Sequence, residues 1–339
     1  MKAVVINKPF EVEIKEVPKP EIHDEKDVII KVLAGGICGS DIGIFNGTNS
    51  LATYPRIIGH EFAGVIEEVG TAVTNVKIGD LVAIDPVNSC GHCYACRTGN
   101  HNVCSTVEVT GVHRDGGFAE YVKTSEKNVF KVDESKIDPQ NAALVEPYSI
   151  GVEANERGRT TVGDKVLVMG SGPIGIAVMQ VAKARGAEVM MTDLLDKRLD
   201  RALEMGADKV VNVLKESLSE AVQEFTNGDG AHVIIDSVCS PQSLEEALEL
   251  AAPSGRVVTL GTGNKPSQIA QVAFTKKGLD VRGSRLSNNR FPHVIELFEK
   301  GAVTPEKMKT HTFHFREIEA AFEFMKENQA DVCKVVITF

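Results

Sequence analysis

The stretch 165-KVLVMGSGPIGIAVMQVAKARGAEVMMTD-193 decides the fold. It opens with an apolar, β-branched run, turns through Gly170-Ser171-Gly172-Pro173-Ile174-Gly175, and continues as an apolar helical run ending at Arg185-Gly186. A second strand-like run, EVMMT, then reaches Asp193. Strand, glycine turn, helix, strand and terminal acid are, in that order, the parts of a dinucleotide-binding βαβ unit. Gly170 and Gly172 permit the turn and a close backbone approach to a pyrophosphate. Gly175 lets helix pack on strand, and Pro173 and Ile174 open the helix whose N-terminus faces the phosphate charge. An acid at Asp193 accepts hydrogen bonds from the adenosine ribose and repels a 2′-phosphate, which favours NAD over NADP. Arg198, at the next helix start, is a second cofactor candidate or simply a solvated face residue.

The same period runs onward. KVLVM, EVMMT, KVVNV, HVIID, RVVTL and LDVRG start at 165, 188, 209, 232, 256 and 279, each separated by the length of one strand and one crossover helix. LSEAVQEFT and QSLEEALELA, between them, carry apolar residues three and four apart, as covering helices require. Six units predict an α/β fold with a doubly wound, six-stranded parallel sheet, a Rossmann domain over 151–285. Asp236, Leu260 and Gly261 end the fourth and fifth strands at the carboxyl edge, where a cofactor crosses; each is also a plausible strand terminator. Before residue 150 the text changes to short β-branched runs split by glycine turns, AVVI, EVEI, DVIIKVLA, GVIEEVG, LVAID, FAEYVKT and NVFKV, a β-rich domain with long loops. The tail, 286–339, offers two amphipathic helices and a last strand, KVVITF, and is expected to complete the first domain.

Composition bounds the function. Thirty-seven basic against 47 acidic residues give a net charge of −10, which disfavours nucleic acid and anionic membranes as partners. The longest apolar stretch, Val166 to Ala184, is broken by glycines and a proline, and the N-terminus meets charges at once, so neither a span nor a signal peptide is expected and the protein reads as cytoplasmic.

Four of the seven cysteines crowd into Cys90-x2-Cys93-x2-Cys96-x7-Cys104. Four soft thiolates at this spacing let one loop wrap a tetrahedral Zn2+, with an iron-sulfur cluster as the lesser alternative. Sulfur fills all four positions, so such a zinc would be structural.

A second set of donors is dispersed: Cys38 in GGICGSD, His60 and Glu61 in GHEFAGV, and Glu146 in LVEPYS. With GGFAEYV and the glycine turn, these motifs closely resemble the zinc-containing medium-chain dehydrogenases along the whole chain. The resemblance implies a GroES-like catalytic domain over 1–150, a catalytic zinc on Cys38, His60 and Glu61 with Glu146 as direct or water-mediated partner, and hence two zincs per chain with NAD. Thiolate plus one carboxylate would neutralise Zn2+ while a neutral imidazole leaves room for substrate. Ser40 matches the family hydroxyl that hydrogen-bonds the alkoxide. Gly43 departs from the family, many of whose members carry a relay histidine there.

Within the family, DPVNSCGHCYAC, GVHRDGGFAEY, GSRLSNNRFP and KVVITF resemble the starvation-sensing-type and sugar-acid dehydrogenases. That implies a hexonate, L-gulonate or L-galactonate, oxidised at C5 by hydride transfer. Arg114 and Arg285 are candidate partners for its carboxylate, or else partners of surface acids or the cofactor. A polyol (sorbitol-type) or L-threonine dehydrogenase would share every zinc and NAD residue, and an NAD-binding regulatory protein without turnover is the reading from another class. The family resemblance also implies a homodimer or homotetramer.

Overall fold

The turn at residues 170–175 lies where the central strand of a parallel sheet hands over to a helix. A computed structural model describes residues 1–261, 263 and 265–339, which fall into two compact units. One comprises Met1–Glu146, Ser287–Gly301 and Pro305–Phe339; the other comprises Pro147–Leu286 and Ala302–Thr304.

The second unit is the Rossmann sheet. From edge to edge its strands run Lys209–Asn212, Glu188–Asp193, Lys165–Met169, Ala231–Asp236, Ala251–Thr259 and Asp280–Gly283, every neighbouring pair parallel. In chain order this is 3-2-1-4-5-6, the doubly wound arrangement, whose strand order reverses beside the first strand. Leu167, Met190, Ile234 and Val257 from the sheet meet Leu218, Val222 and Leu248 from helices Leu218–Phe225 and Pro241–Leu250 in one core. Both helices begin where serines at 217 and 240 accept a backbone N–H, so cap chemistry and the apolar stripe agree on their starts. The fifth strand starts earlier than the expected 256. Ala251 pairs with Ala231, and the register then shifts, so that Arg256 opposes Val233. Pro253, Ser254 and Gly255 make up the irregularity, with Ser254 at φ +60, which is why Pro-Ser-Gly reads as an end and not a bulge.

In the first unit the principal sheet runs Val129–Lys131, Leu81–Ile84, Glu61–Val69, Asp27–Gly36, Lys334–Thr338 and Lys309–His314, with Tyr121–Ser125 also pairing with Asp27–Gly36. Val28, Ile30, Phe62, Ile66, Val82 and Val122 form its core. The C-terminal strand lies antiparallel to Asp27–Gly36 with Val336 opposite Gly36. Helices Phe291–Glu299 and Ile318–Glu327 are the two amphipathic helices of the tail. Four strands escaped the sequence pattern. Arg56–Ile57, Val87–Asn88 and Glu108–Val109 are too short for periodicity, and Lys309–His314 offers a single large apolar side chain, Phe313. Among the described residues no helix is long and apolar enough to cross a membrane.

Candidate metal centres and cofactor turn

Register brings the dispersed donors together. Glu61 opens its strand directly opposite Gly36, at the end of the neighbouring strand, and Cys38 follows two residues later as the N-cap of helix Gly39–Phe45. Sulfur, imidazole nitrogen and carboxylate oxygen of Cys38, His60 and Glu61 all lie within 4.8 Å of one another. A β-carbon at Gly36 would stand 2.2 Å from Glu61 Oε2, so a larger residue there would displace that carboxylate.

Two residues unremarked in the sequence hold this cluster. Asp41, fully buried, accepts the Cys38 N–H at 2.8 Å and the Gly59 N–H at 3.3 Å, and its Oδ1 stands 3.7 Å from His60 Nδ1. Lys334 donates from Nζ to both oxygens of Glu61, at 2.7 and 2.8 Å, and lies 3.3 Å from the Ile37 carbonyl. Burial presses the His60 pKa down, but the Cys38 sulfur and the Asp41 carboxylate reverse this and hold it well above the ordinary histidine range. Burial likewise opposes the Lys334 charge, and Glu61 and Cys38 more than restore it, leaving the lysine raised. A buried imidazole driven toward its cationic form by surrounding anions marks a pocket built for a cation. The donors are those Zn2+ takes, and His60 Nδ1 has no hydrogen-bond partner.

Glu146 stands apart from the tight triad. It is buried, and desolvation pushes its carboxyl up to about 8 against the pull of His60 and Lys334; Glu61 and Asp85 push the same way as burial. Ser40, in the first turn of the helix after Cys38, has a buried Oγ without a partner. Where a side chain at Gly43 would begin, Thr48 Oγ1 stands 3.4 Å away and Asn49 Cβ 3.5 Å away.

The cysteine knuckle is local. The sulfurs of Cys90, Cys93, Cys96 and Cys104 lie within 4.8 Å of one another, all as free thiols. Cys93 N–H points at Cys90 Sγ (3.4 Å), and Cys90 N–H at Cys104 Sγ (3.3 Å). Backbone N–H groups of Cys96 and Ser105 bring the Cys93 thiol down to about 5, and that of Cys90 brings Cys104 to about 7. Cys96 goes the other way, up to about 11, through burial and a hydrogen bond shared with Cys93. Backbone donors that favour the thiolate at two of these four clustered sulfurs suit a tetrahedral S4 zinc site.

In the Rossmann unit, Gly170 adopts φ +95, and a β-carbon at Gly175 would fall on the Gly170 carbonyl, so the first and third glycines of the turn are structurally required. Gly172 is the N-cap and Pro173 opens helix Pro173–Ala184, followed by Ile174. Asp193 takes N–H groups from Ser171 (3.0 Å), Leu194 (2.8 Å) and Leu195 (3.1 Å), while Arg198 Nη1 lies 3.7 Å from its Oδ2. Asp236 is fully buried, and its carboxylate is occupied by Val238 N–H, Cys239 N–H and the Ser243 hydroxyl, so it secures its own turn. Leu260 donates its N–H to the Asp236 carbonyl, and Gly261 is exposed beyond it. Of the two substrate candidates, Arg114 pairs with Glu108 at 3.6 Å on the surface, and Arg285 is exposed just after strand Asp280–Gly283.

Comparison with known proteins agrees with this geometry. Residues 24–134 match the alcohol dehydrogenase GroES-like domain and residues 173–300 the zinc-binding dehydrogenase domain. The starvation-sensing protein RspB of Escherichia coli is 43% identical, covering 100% of this chain and 99% of its own. Sorbitol dehydrogenase of Bacillus subtilis is 34% identical (99% and 97% covered), and L-galactonate-5-dehydrogenase of E. coli 33% identical (96% and 94%). The crystal structure of RspB from E. coli CFT073, complexed with NADH, superimposes with a TM-score of 0.94 at 42% identity, covering 100% of this chain and 99% of that one. The chain is therefore a member of the zinc-binding alcohol dehydrogenase family, an NAD-linked oxidoreductase with a GroES-like domain and a Rossmann domain.

Proposed function

We propose that this enzyme oxidises a secondary alcohol of a sugar acid, L-galactonate or L-gulonate at C5, to the ketone with NAD as acceptor. The observation behind the chemistry is the triad Cys38, His60 and Glu61; behind the substrate class it is the full-length similarity to L-galactonate-5-dehydrogenase.

Cys38, His60 and Glu61 would hold one zinc, with Glu146 as partner, and Cys90, Cys93, Cys96 and Cys104 the other. Bound at the triad, zinc supplies Lewis acidity that lowers the pKa of a coordinated hydroxyl. Ser40 accepts the substrate's hydroxyl proton or holds the alkoxide by a hydrogen bond, and its unpartnered buried Oγ is suited to that task. Asp41 orients His60 and Cys38. With Gly43 in place of a relay side chain, the proton leaves through Glu146 or water. Gly170, Gly172, Pro173, Ile174 and Gly175 bind the pyrophosphate, Asp193 the adenosine ribose, and Leu260 and Gly261 flank the cofactor from the fifth strand. Arg285 is the cation proposed for the hexonate carboxylate. A homo-oligomer with NAD in each subunit and no nucleic-acid partner completes the reading.

A polyol substrate is the second reading. It is favoured by the similarity to sorbitol dehydrogenase and by the Arg114–Glu108 pair, which occupies one of the two candidate carboxylate cations. NADH formation, followed by its absorbance with zinc-loaded enzyme, separates the two across hexonates, hexitols, pentitols and L-threonine. Turnover confined to hexonates supports the sugar-acid reading, and turnover of hexitols without hexonates replaces it.

A further inference from the structure

We infer that the first unit carries a binding site for a small organic ammonium ion, walled by Phe10, Phe45 and Phe322 and rimmed by Glu319 and Glu323. These residues line one cavity of about 380 Å³, toward the small end of the range for ligand pockets. The ring centroids of Phe10 and Phe45 are 5.9 Å apart with the planes at 75°, and those of Phe45 and Phe322 are 5.1 Å apart at 49°. Rings at such angles wall a corner; they do not form a flat stack. The corner is held in place by the backbone. Phe10 donates its N–H to the Phe45 carbonyl at 2.7 Å, and a β-carbon at Gly47 would stand 2.8 Å from Pro9 Cγ, so the turn bearing Phe10 is packed against the end of helix Gly39–Phe45. The site shares no residue with the Cys38–His60–Glu61 centre or the glycine turn, and the inference is independent of the zinc and substrate readings.

Two features of this corner cost stability and point to a ligand. Phe10 sits at φ +65 and is 70% exposed. In the turn between strands Lys2–Lys8 and Glu11–Glu16, glycine or asparagine would take that backbone conformation with less strain and without exposing a ring. What phenylalanine adds is an aromatic wall, and strained positions of this kind collect at ligand sites. Glu319 and Glu323 stand one turn apart on helix Ile318–Glu327, where like charges repel, and neither forms an ion pair among the described residues. Lys326 lines the same cavity, so two carboxylates against one ammonium leave its rim negative. A cation between the carboxylates relieves their repulsion, while its alkyl groups meet aromatic rings whose faces carry negative charge. An anion would be repelled, and a neutral apolar guest would gain nothing from Glu319 and Glu323. The net charge of −10 draws cations toward the chain as a whole.

The test probes the full chain with choline and tetramethylammonium, using neohexyl alcohol, in which carbon replaces the nitrogen of choline, as the neutral control. Ligand-observed NMR follows binding. Choline should bind at least about tenfold more tightly than the neutral analogue, and the difference should shrink as salt is raised. Glu319→Gln combined with Glu323→Gln should weaken choline by about fivefold and leave the neutral analogue unchanged. Phe10→Gly should weaken choline by a similar factor without lowering the melting temperature, because glycine accepts the positive φ. A ring present for packing alone would instead show as a lower melting temperature. Failure of both ammonium probes to bind, equal binding of choline and its neutral analogue, or choline binding that survives the paired glutamine substitutions overturns the inference. So does an oligomer that dissociates on Phe10→Gly, which would assign the rings to a contact between copies of the chain.

Discussion

The two metal-type clusters of this chain are made in opposite ways. The knuckle gathers four identical donors from one continuous loop, and backbone N–H groups of that same loop solvate the sulfurs. The triad gathers three different donors from a helix cap, Cys38, and from the start of one strand, His60 just before it and Glu61 as its first residue, and a charged residue of the C-terminal strand joins them. A closed, local S4 cluster is suited to holding a lobe together. An open, mixed cluster with a buried cation beside it is suited to exchanging a ligand.

That contrast can be broken by mutation. His60→Ala should lower kcat by about 10³-fold or more while the melting temperature changes little, because the lost group acts on the reacting oxygen; steady-state NADH formation beside calorimetry checks this. Cys93→Ser should do the reverse, lowering the melting temperature and exposing the lobe to protease, with kcat per folded molecule close to that of wild type. If the two variants behaved alike, the division of labour would be wrong.

Sharper tests use charges outside the clusters. Asp193→Ser should shift the ratio of NADP to NAD use by about tenfold or more toward NADP, as removal of the carboxylate relieves repulsion of a 2′-phosphate; paired kcat/KM values measure it. Asp85 supplies a pH signature. Burial raises its carboxyl from 3.8 to about 7, against the pull of the Val87 N–H. Its pKa is higher folded than unfolded, so it costs no stability below about pH 4. The cost grows as pH rises to about 7 and then levels off. Asp85→Asn should therefore stabilise the protein at pH 8 by on the order of 2–4 kcal/mol and not at pH 4, as denaturant melts at both pH values would register. The smallest effect belongs to Arg114→Ala: its partner is an exposed surface acid, and stability should change by less than about 1 kcal/mol.

How much of this could be read from the sequence depends on locality. The Rossmann strands, the glycine turn and the knuckle announce themselves because spacing along the chain equals spacing in space. Cys38 and His60–Glu61 required a family resemblance, since strand register, not sequence distance, sets them side by side. Asp41 carried a weak local signal, an acid three residues after an N-cap, as in a capping box. Lys334 carried none: a lysine heading an apolar strand reads as a solvated edge until the antiparallel pairing of residues 336–338 with 34–36 sets it beside Glu61. Asp236, a cofactor candidate or strand terminator by sequence, has its oxygens satisfied by the Val238 and Cys239 N–H groups of the following turn and by the Ser243 hydroxyl of the next helix.

The most direct test of the division between the clusters is the zinc content of His60→Ala measured beside wild type by elemental analysis. The account predicts two zincs per chain in wild type and one in a folded His60→Ala, which retains the knuckle metal. Two zincs in the variant, or one in both proteins, would contradict it.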